Sequence, residues 1–170
     1  MLQIFLSFLI FLVSYGGAQC QETKNQTRIN CPYPFVNNYN GYTFNYCYHY
    51  AGSSQSFTKA YQTCTTTVYS GLVTPKLSDG LDDLYKLYKA FPNYYFWVGA
   101  IATPANPTSF RWQDGTPVYP GAWCAGHPKG GDNLCAFYTT TAVIGRDKCI
   151  QSGQCTASFF DHNIICQYGV

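Results

Sequence analysis

From Tyr42 to Tyr50 the chain alternates, with Tyr42, Phe44, Tyr46, Tyr48 and Tyr50 on one parity and Thr43, Asn45, Cys47 and His49 on the other. A period of two held this long predicts a β-strand, with Cys47 on the face opposite the tyrosines. The period then lengthens. Phe57, Ala60, Tyr61 and Cys64 fall at i, i+3, i+4 and i+7, behind Ser53, Ser54 and Ser56 as N-cap candidates. That spacing predicts a helix with Cys64 on its buried face. A second helix is predicted from about Asp79 to Phe91, with Leu81, Leu84, Tyr85 and Tyr88 as its apolar stripe. Asp79, Asp82 and Asp83 near its start and Lys86 and Lys89 toward its end suit the helix dipole. Helix-end electrostatics accounts for this acidic trio better than a metal cluster does. Phe96-Trp97-Val98-Gly99-Ala100 reads as a short buried strand, and Asp114-Gly115 as a turn. The remaining stretches to Cys135 are rich in Pro, Gly, Asn and Asp, which describes long loops on a rigid scaffold, where binding usually sits.

The first residues set the compartment. Ile4 to Val13 is apolar except for Ser7, too short a run to span a bilayer, and Gly16-Gly17-Ala18 follows. The expected organisation is a signal peptide at 1–18, a polar segment at 19–30 and one domain at 31–167. No later apolar run approaches the first in length, so a soluble, secreted, extracellular protein without a membrane span is expected. About 150 residues are enough for a real core. Net charge is +2 with 11% charged residues and no basic patch, which argues against nucleic acid. Nine cysteines in an exported chain imply a disulfide framework, and no Cys-x-x-Cys supplies the usual zinc or thioredoxin spacing. Cleavage after Ala18 leaves Cys20 as an odd thiol, suited to a disulfide-linked oligomer. Asn25-Gln26-Thr27 is a glycosylation sequon; Asn106-Pro107-Thr108 is excluded by its proline.

The order Trp97-Val98-Gly99-Ala100, Trp112-Gln113-Asp114-Gly115, Trp123 to Pro128 and Cys135, with cysteines interleaved, resembles the C-type lectin-like domain over roughly Cys31 to Gln167. The resemblance implies an α+β fold, two helices flanking a small antiparallel sheet under a long loop region, stapled by disulfides. Gly71-Leu72-Val73 is similar to the family's short strand after the first helix. The resemblance also implies the pairs Cys31–Cys47 and Cys64–Cys166, and it pairs Cys135 with the cysteine before the last strand. Cys155 is the better match there, leaving Cys124 for Cys149, though exchange of Cys149 and Cys155 stays open. Closing the Cys31–Cys47 loop contributes ~3 kcal/mol in the chain-entropy model.

Sugar-binding members of this family hold calcium with a Glu-Pro-Asn or Gln-Pro-Asp loop and a Trp-Asn-Asp strand. Calcium wants six to eight oxygens, preferably carboxylates. Here the loop reads His127-Pro128-Lys129, and the segment before Cys155 reads Ile150-Gln151-Ser152-Gly153-Gln154, without an acid. Asp132 and Asp147 lie nearby but make no site. No cofactor is expected, calcium included. The resemblance then implies calcium-independent recognition of a glycan or cell-surface ligand, in defence or in the extracellular matrix, through His127, Lys129, Asp132 and Asn133. The rival is a structural or oligomer-forming extracellular protein. His49, His127 and His162 show no catalytic spacing, and no nucleophile motif accompanies Asp161-His162, so an enzyme is not expected.

Overall fold

The computed structural model describes residues 29–66, 70–76, 78–91, 95–139, 149–157 and 161–170. The expected signal peptide, Cys20, Asn25 and Asp147 lie outside them. Strands β1 (Val36–Tyr39) and β2 (Tyr42–Ser54) form a hairpin. Asn40 and Gly41 turn it, both at positive φ, 50° and 79°. An Asn-Gly pair takes that conformation most readily, and its twist suits the strands it joins. On β2, Phe44 and Tyr48 face one core cluster and Cys47 faces the other, as the alternation predicts.

Helix α1 (Phe57–Thr65) starts at Ser56, whose hydroxyl accepts from the Lys59 N–H at 3.3 Å. Phe57, Ala60 and Cys64 are buried, but Tyr61 remains 39% exposed at the stripe's margin. Helix α2 (Ser78–Ala90) buries Leu81, Leu84 and Leu87. Tyr85 and Tyr88 are only half-buried, and the Lys89 ammonium lies 5.3 and 5.5 Å from their ring centroids. The expected stripe is thus corrected: Leu87 replaces the tyrosines, whose polar tips favour the margin. Asp83 also departs from the helix-end role, since it is wholly buried.

The remaining strands are β3 (Ser70–Leu72), β4 (Tyr95–Thr103), β5 (Asn106–Trp112), β6 (Cys135–Thr139), β7 (Gln151–Gly153) and β8 (His162–Tyr168). They join β1 and β2 in one eight-stranded sheet of order β1-β2-β8-β4-β6-β7, with β3 on β8 and β5 on β4. The sheet is larger than the sequence suggests and mixed, because β4 meets β8 in parallel at Phe96 and Asn163. A core lies on each face. Phe96 and Val98 enter the one beneath α2, and Trp97 enters the one beneath α1. The Trp97 indole N–H donates to the Ser54 carbonyl at 3.0 Å, and its ring stacks on His162 at 4.3 Å.

Four disulfides cross this frame: Cys31–Cys47, Cys64–Cys166, Cys124–Cys149 and Cys135–Cys155. Asp114 and Gly115 form the turn after β5. There the Asp114 carboxylate accepts from the Thr116 N–H and hydroxyl, and Lys76 reaches it as well. Those bonds, with Lys76 foremost, hold Asp114 well below the usual carboxylate range. Among the described residues no helix is long and apolar enough to cross a membrane.

Candidate functional site

The segment from Trp123 to Asn133 is irregular, so its position depends on anchors rather than on a ladder. Trp123 packs edge-on against Phe110 at 4.8 Å. The Cys124 N–H donates to the Ile150 carbonyl at 3.0 Å, and the Ile150 N–H to the Ala122 carbonyl at 2.9 Å. The Cys124–Cys149 bridge fastens the same point covalently. At the other end the Asn133 amide donates to the Gly130 carbonyl at 2.9 Å.

Between these anchors the His127–Pro128 peptide bond is cis. Buried Ser152 of β7 closes the loop onto the sheet. Its N–H donates to His127 Nδ1 at 2.9 Å. Its hydroxyl lies 3.1 Å from the same nitrogen and accepts from the Lys129 N–H at 2.7 Å. A ring nitrogen that accepts an N–H carries a lone pair, so the imidazole proton sits on Nε2. Burial, and then the charge of Lys129, push the His127 pKa down, which keeps this neutral tautomer. The neutral ring's contribution to stability is complete above the unfolded value near about 6.5 and fades as pH falls below it.

Replacing Ser152 by alanine removes the hydroxyl from both contacts. The expected loss is about 1 kcal/mol, read as a lower midpoint in chemical denaturation at neutral pH. Faster amide exchange at Lys129 should accompany it.

Next to this latch is a cleft of about 370 Å³. Its lining includes His127, Lys129 and Asn133 from the loop, Gln151 and Ser152 from β7, and Tyr95, Phe137 and His162. Gly153 matters here, because a Cβ on it would sit 2.6 Å from the Phe137 ring. The structure therefore brings three of the four expected loop residues, His127, Lys129 and Asn133, to one cleft. Asp132 is exposed on the same loop and does not line it. Sequence reading missed Ser152, Gln151, Tyr95, Phe137 and His162. The register could have found two of these, since Phe137 pairs with Trp97 on one side and Gln151 on the other.

The donor set does not fit calcium. His127 offers a nitrogen already engaged, Lys129 carries a cation, and none of the described residues lining the cleft is Asp or Glu. Among the described residues, no cluster of three or more His, Cys, Asp or Glu could hold a metal ion. Asp161 and His162 are set apart in role. Asp161 is exposed and accepts from the Ser53 hydroxyl at 3.4 Å, whereas His162 is buried against Trp97.

No family model matches the chain, and no curated protein matches it. Solved structures do. Human lithostathine aligns with a TM-score of 0.63 at 18% identity, over 84% of this chain and 93% of that one. The mouse scavenger receptor C-type lectin carbohydrate-recognition domain aligns with a TM-score of 0.60 at 21% identity, over 81% of this chain and 97% of that one. A calcium-independent type II antifreeze protein gives 0.61 at 22% identity, over 81% of this chain and 93% of that one. These likenesses show that the chain has the C-type lectin-like fold.

Proposed function

We propose that this is a secreted recognition protein that binds a carbohydrate or another surface ligand in the cleft beside His127 and Lys129, without calcium and without catalysis. The observation that carries this reading is the Ser152 latch. It ties the loop to β7 through the His127 ring nitrogen and the Lys129 N–H, neither of which offers calcium an oxygen. Four disulfides in a fold this size suit an extracellular setting. A cleft with aromatic walls and side-chain amides offers what a sugar ring needs, an apolar face and hydrogen-bonding partners. One solved neighbour is described as a carbohydrate-recognition domain and another as calcium-independent.

A glycan array run in calcium and in chelator tests this. The expected result is the same binding pattern in both, with a melting temperature that millimolar calcium leaves unchanged. Binding that chelator abolishes would overturn the metal-free reading. A blank array would favour the rival, a structural protein joined through Cys20. That rival rests on the ninth cysteine, the other eight being paired.

A further inference from the structure

The charge in the cleft has one sign. Among its described lining residues Lys129 is the only Lys or Arg, and none is a carboxylate. Its ammonium forms no ion pair among the described residues. Among the described residues Lys76 pairs with Asp114, Lys86 with Asp83, and Lys89 lies over two tyrosine rings, while Lys59 on α1 lies outside the cleft. The backbone beside Lys129 is already satisfied by Ser152, which leaves its side chain as the free part of the residue. His127 adds a neutral donor, because Nδ1 accepts from Ser152 and the ring's proton is on Nε2. Asn133 and Gln151 add amides, and Tyr95 and Phe137 add ring surface.

A neutral ligand would leave the ammonium without a counter-charge once the cleft loses water. An anionic group would pair with it and take charge-assisted hydrogen bonds, the stronger kind. We propose that the cleft selects an acidic sugar, one bearing a carboxylate or a sulfate, with Lys129 as the residue that reads the anion. The proposal rests on glycan binding at this cleft and names the class of glycan. The aromatic walls and amides favour a sugar over a flexible acidic peptide, whose backbone would present no ring to Tyr95 or Phe137.

The test measures binding in chelator by calorimetry with four probes: a hyaluronan hexasaccharide (carboxylate), a sulfated lactose (sulfate), chitohexaose (neutral) and a tetra-aspartate peptide. The wild type should bind one or both acidic sugars at least about tenfold more tightly than chitohexaose, and moderate salt should weaken that binding. The first two probes separate carboxylate from sulfate. Lys129→Gln should lose about tenfold in affinity for the acidic sugar, while Lys129→Arg should keep most of it. Lys129 is exposed, so both variants should fold, and an unchanged melting temperature checks that.

Equal binding of chitohexaose and the acidic sugars, with Lys129→Gln unaffected, would overturn the anion reading and leave calcium-free glycan binding standing. Tetra-aspartate bound as tightly as the acidic sugars would overturn the choice of a sugar. Failure of every probe, together with a blank array, would remove both the inference and the function it rests on.

Discussion

Asp83→Ala is expected to destabilise the protein by about 2–4 kcal/mol, through the loss of several hydrogen bonds to one buried carboxylate. Asp83 is wholly buried on α2, and its carboxylate collects four donors. The Asn45 N–H reaches it at 2.8 Å and the Asn45 amide at 3.1 Å. The buried Tyr48 hydroxyl donates at 3.1 Å, and Lys86 one turn later at 3.4 Å. Alanine removes the common acceptor of all four and loosens α2 from β2. The site also carries a cost in the native state. Burial is the largest effect on Asp83 and raises its pKa from the usual 3.8, against the lowering by Asn45, Lys86 and Tyr48. A carboxylate whose folded pKa lies above its unfolded value binds its proton sooner in the native state. Its contribution to stability is therefore present in full below 3.8 and is lost as pH rises through the folded value. Asp83→Asn, which cannot ionise, should remove that pH dependence and should cost less than alanine, because its amide oxygen still accepts. Chemical denaturation of the three proteins between acid and neutral pH checks both points. An Asp83→Ala protein as stable as wild type would show that these bonds only compensate the burial of the charge.

The role of Asp83 shows where the sequence stops being informative. An acid in the first turns of a helix reads as dipole chemistry, and nothing local says that β2 will bring Asn45 and Tyr48 against it. Elements with a strong period were legible. The tyrosine alternation marks β2 and its two faces, and Ser53, Ser54 and Ser56 mark the approach to α1, where Ser56 takes the cap. The tyrosines of α2 misled because an amphipathic ring counts as apolar in a pattern yet settles at the margin, while Leu87 fills the core. The Asn40-Gly41 turn carries a local signal as well, since that pair takes positive φ at both positions most readily. The cleft was half legible. A loop residue such as Lys129 stands out against a family pattern, whereas Ser152 is an ordinary polar residue on a three-residue strand. Its role exists only because Cys124–Cys149 and the backbone bonds at Ile150 bring the loop beside β7. The parallel contact of β4 with β8 is likewise a long-range fact that no local period encodes.

The largest single loss of stability among the bridges is expected at Cys64–Cys166. The two cysteines are separated by 102 residues, against 16 for Cys31–Cys47, 25 for Cys124–Cys149 and 20 for Cys135–Cys155. In the chain-entropy model a loop of about 100 residues is worth about 4.7 kcal/mol, against ~3 kcal/mol for the short ones. The bridges nested inside the long loop shorten the path around it and lower that figure by roughly a few tenths of a kcal/mol. Location works in the same direction. Cys166 lies on β8 opposite His49 of β2 and Leu72 of β3, so the bridge pins α1 to the strand on which both neighbours depend. Both cysteines are buried in the cluster that contains Trp97 and Phe57. The double variant Cys64→Ala with Cys166→Ala should therefore lose about 4 kcal/mol, and Cys31→Ala with Cys47→Ala about 3 kcal/mol. Alanine is the apt replacement, since serine would bury hydroxyls in an apolar cluster. Denaturant unfolding of both variants with the other bridges intact gives the comparison. A larger loss from the Cys31–Cys47 pair would mean that native packing around the hairpin, and not loop length, governs what each bridge contributes.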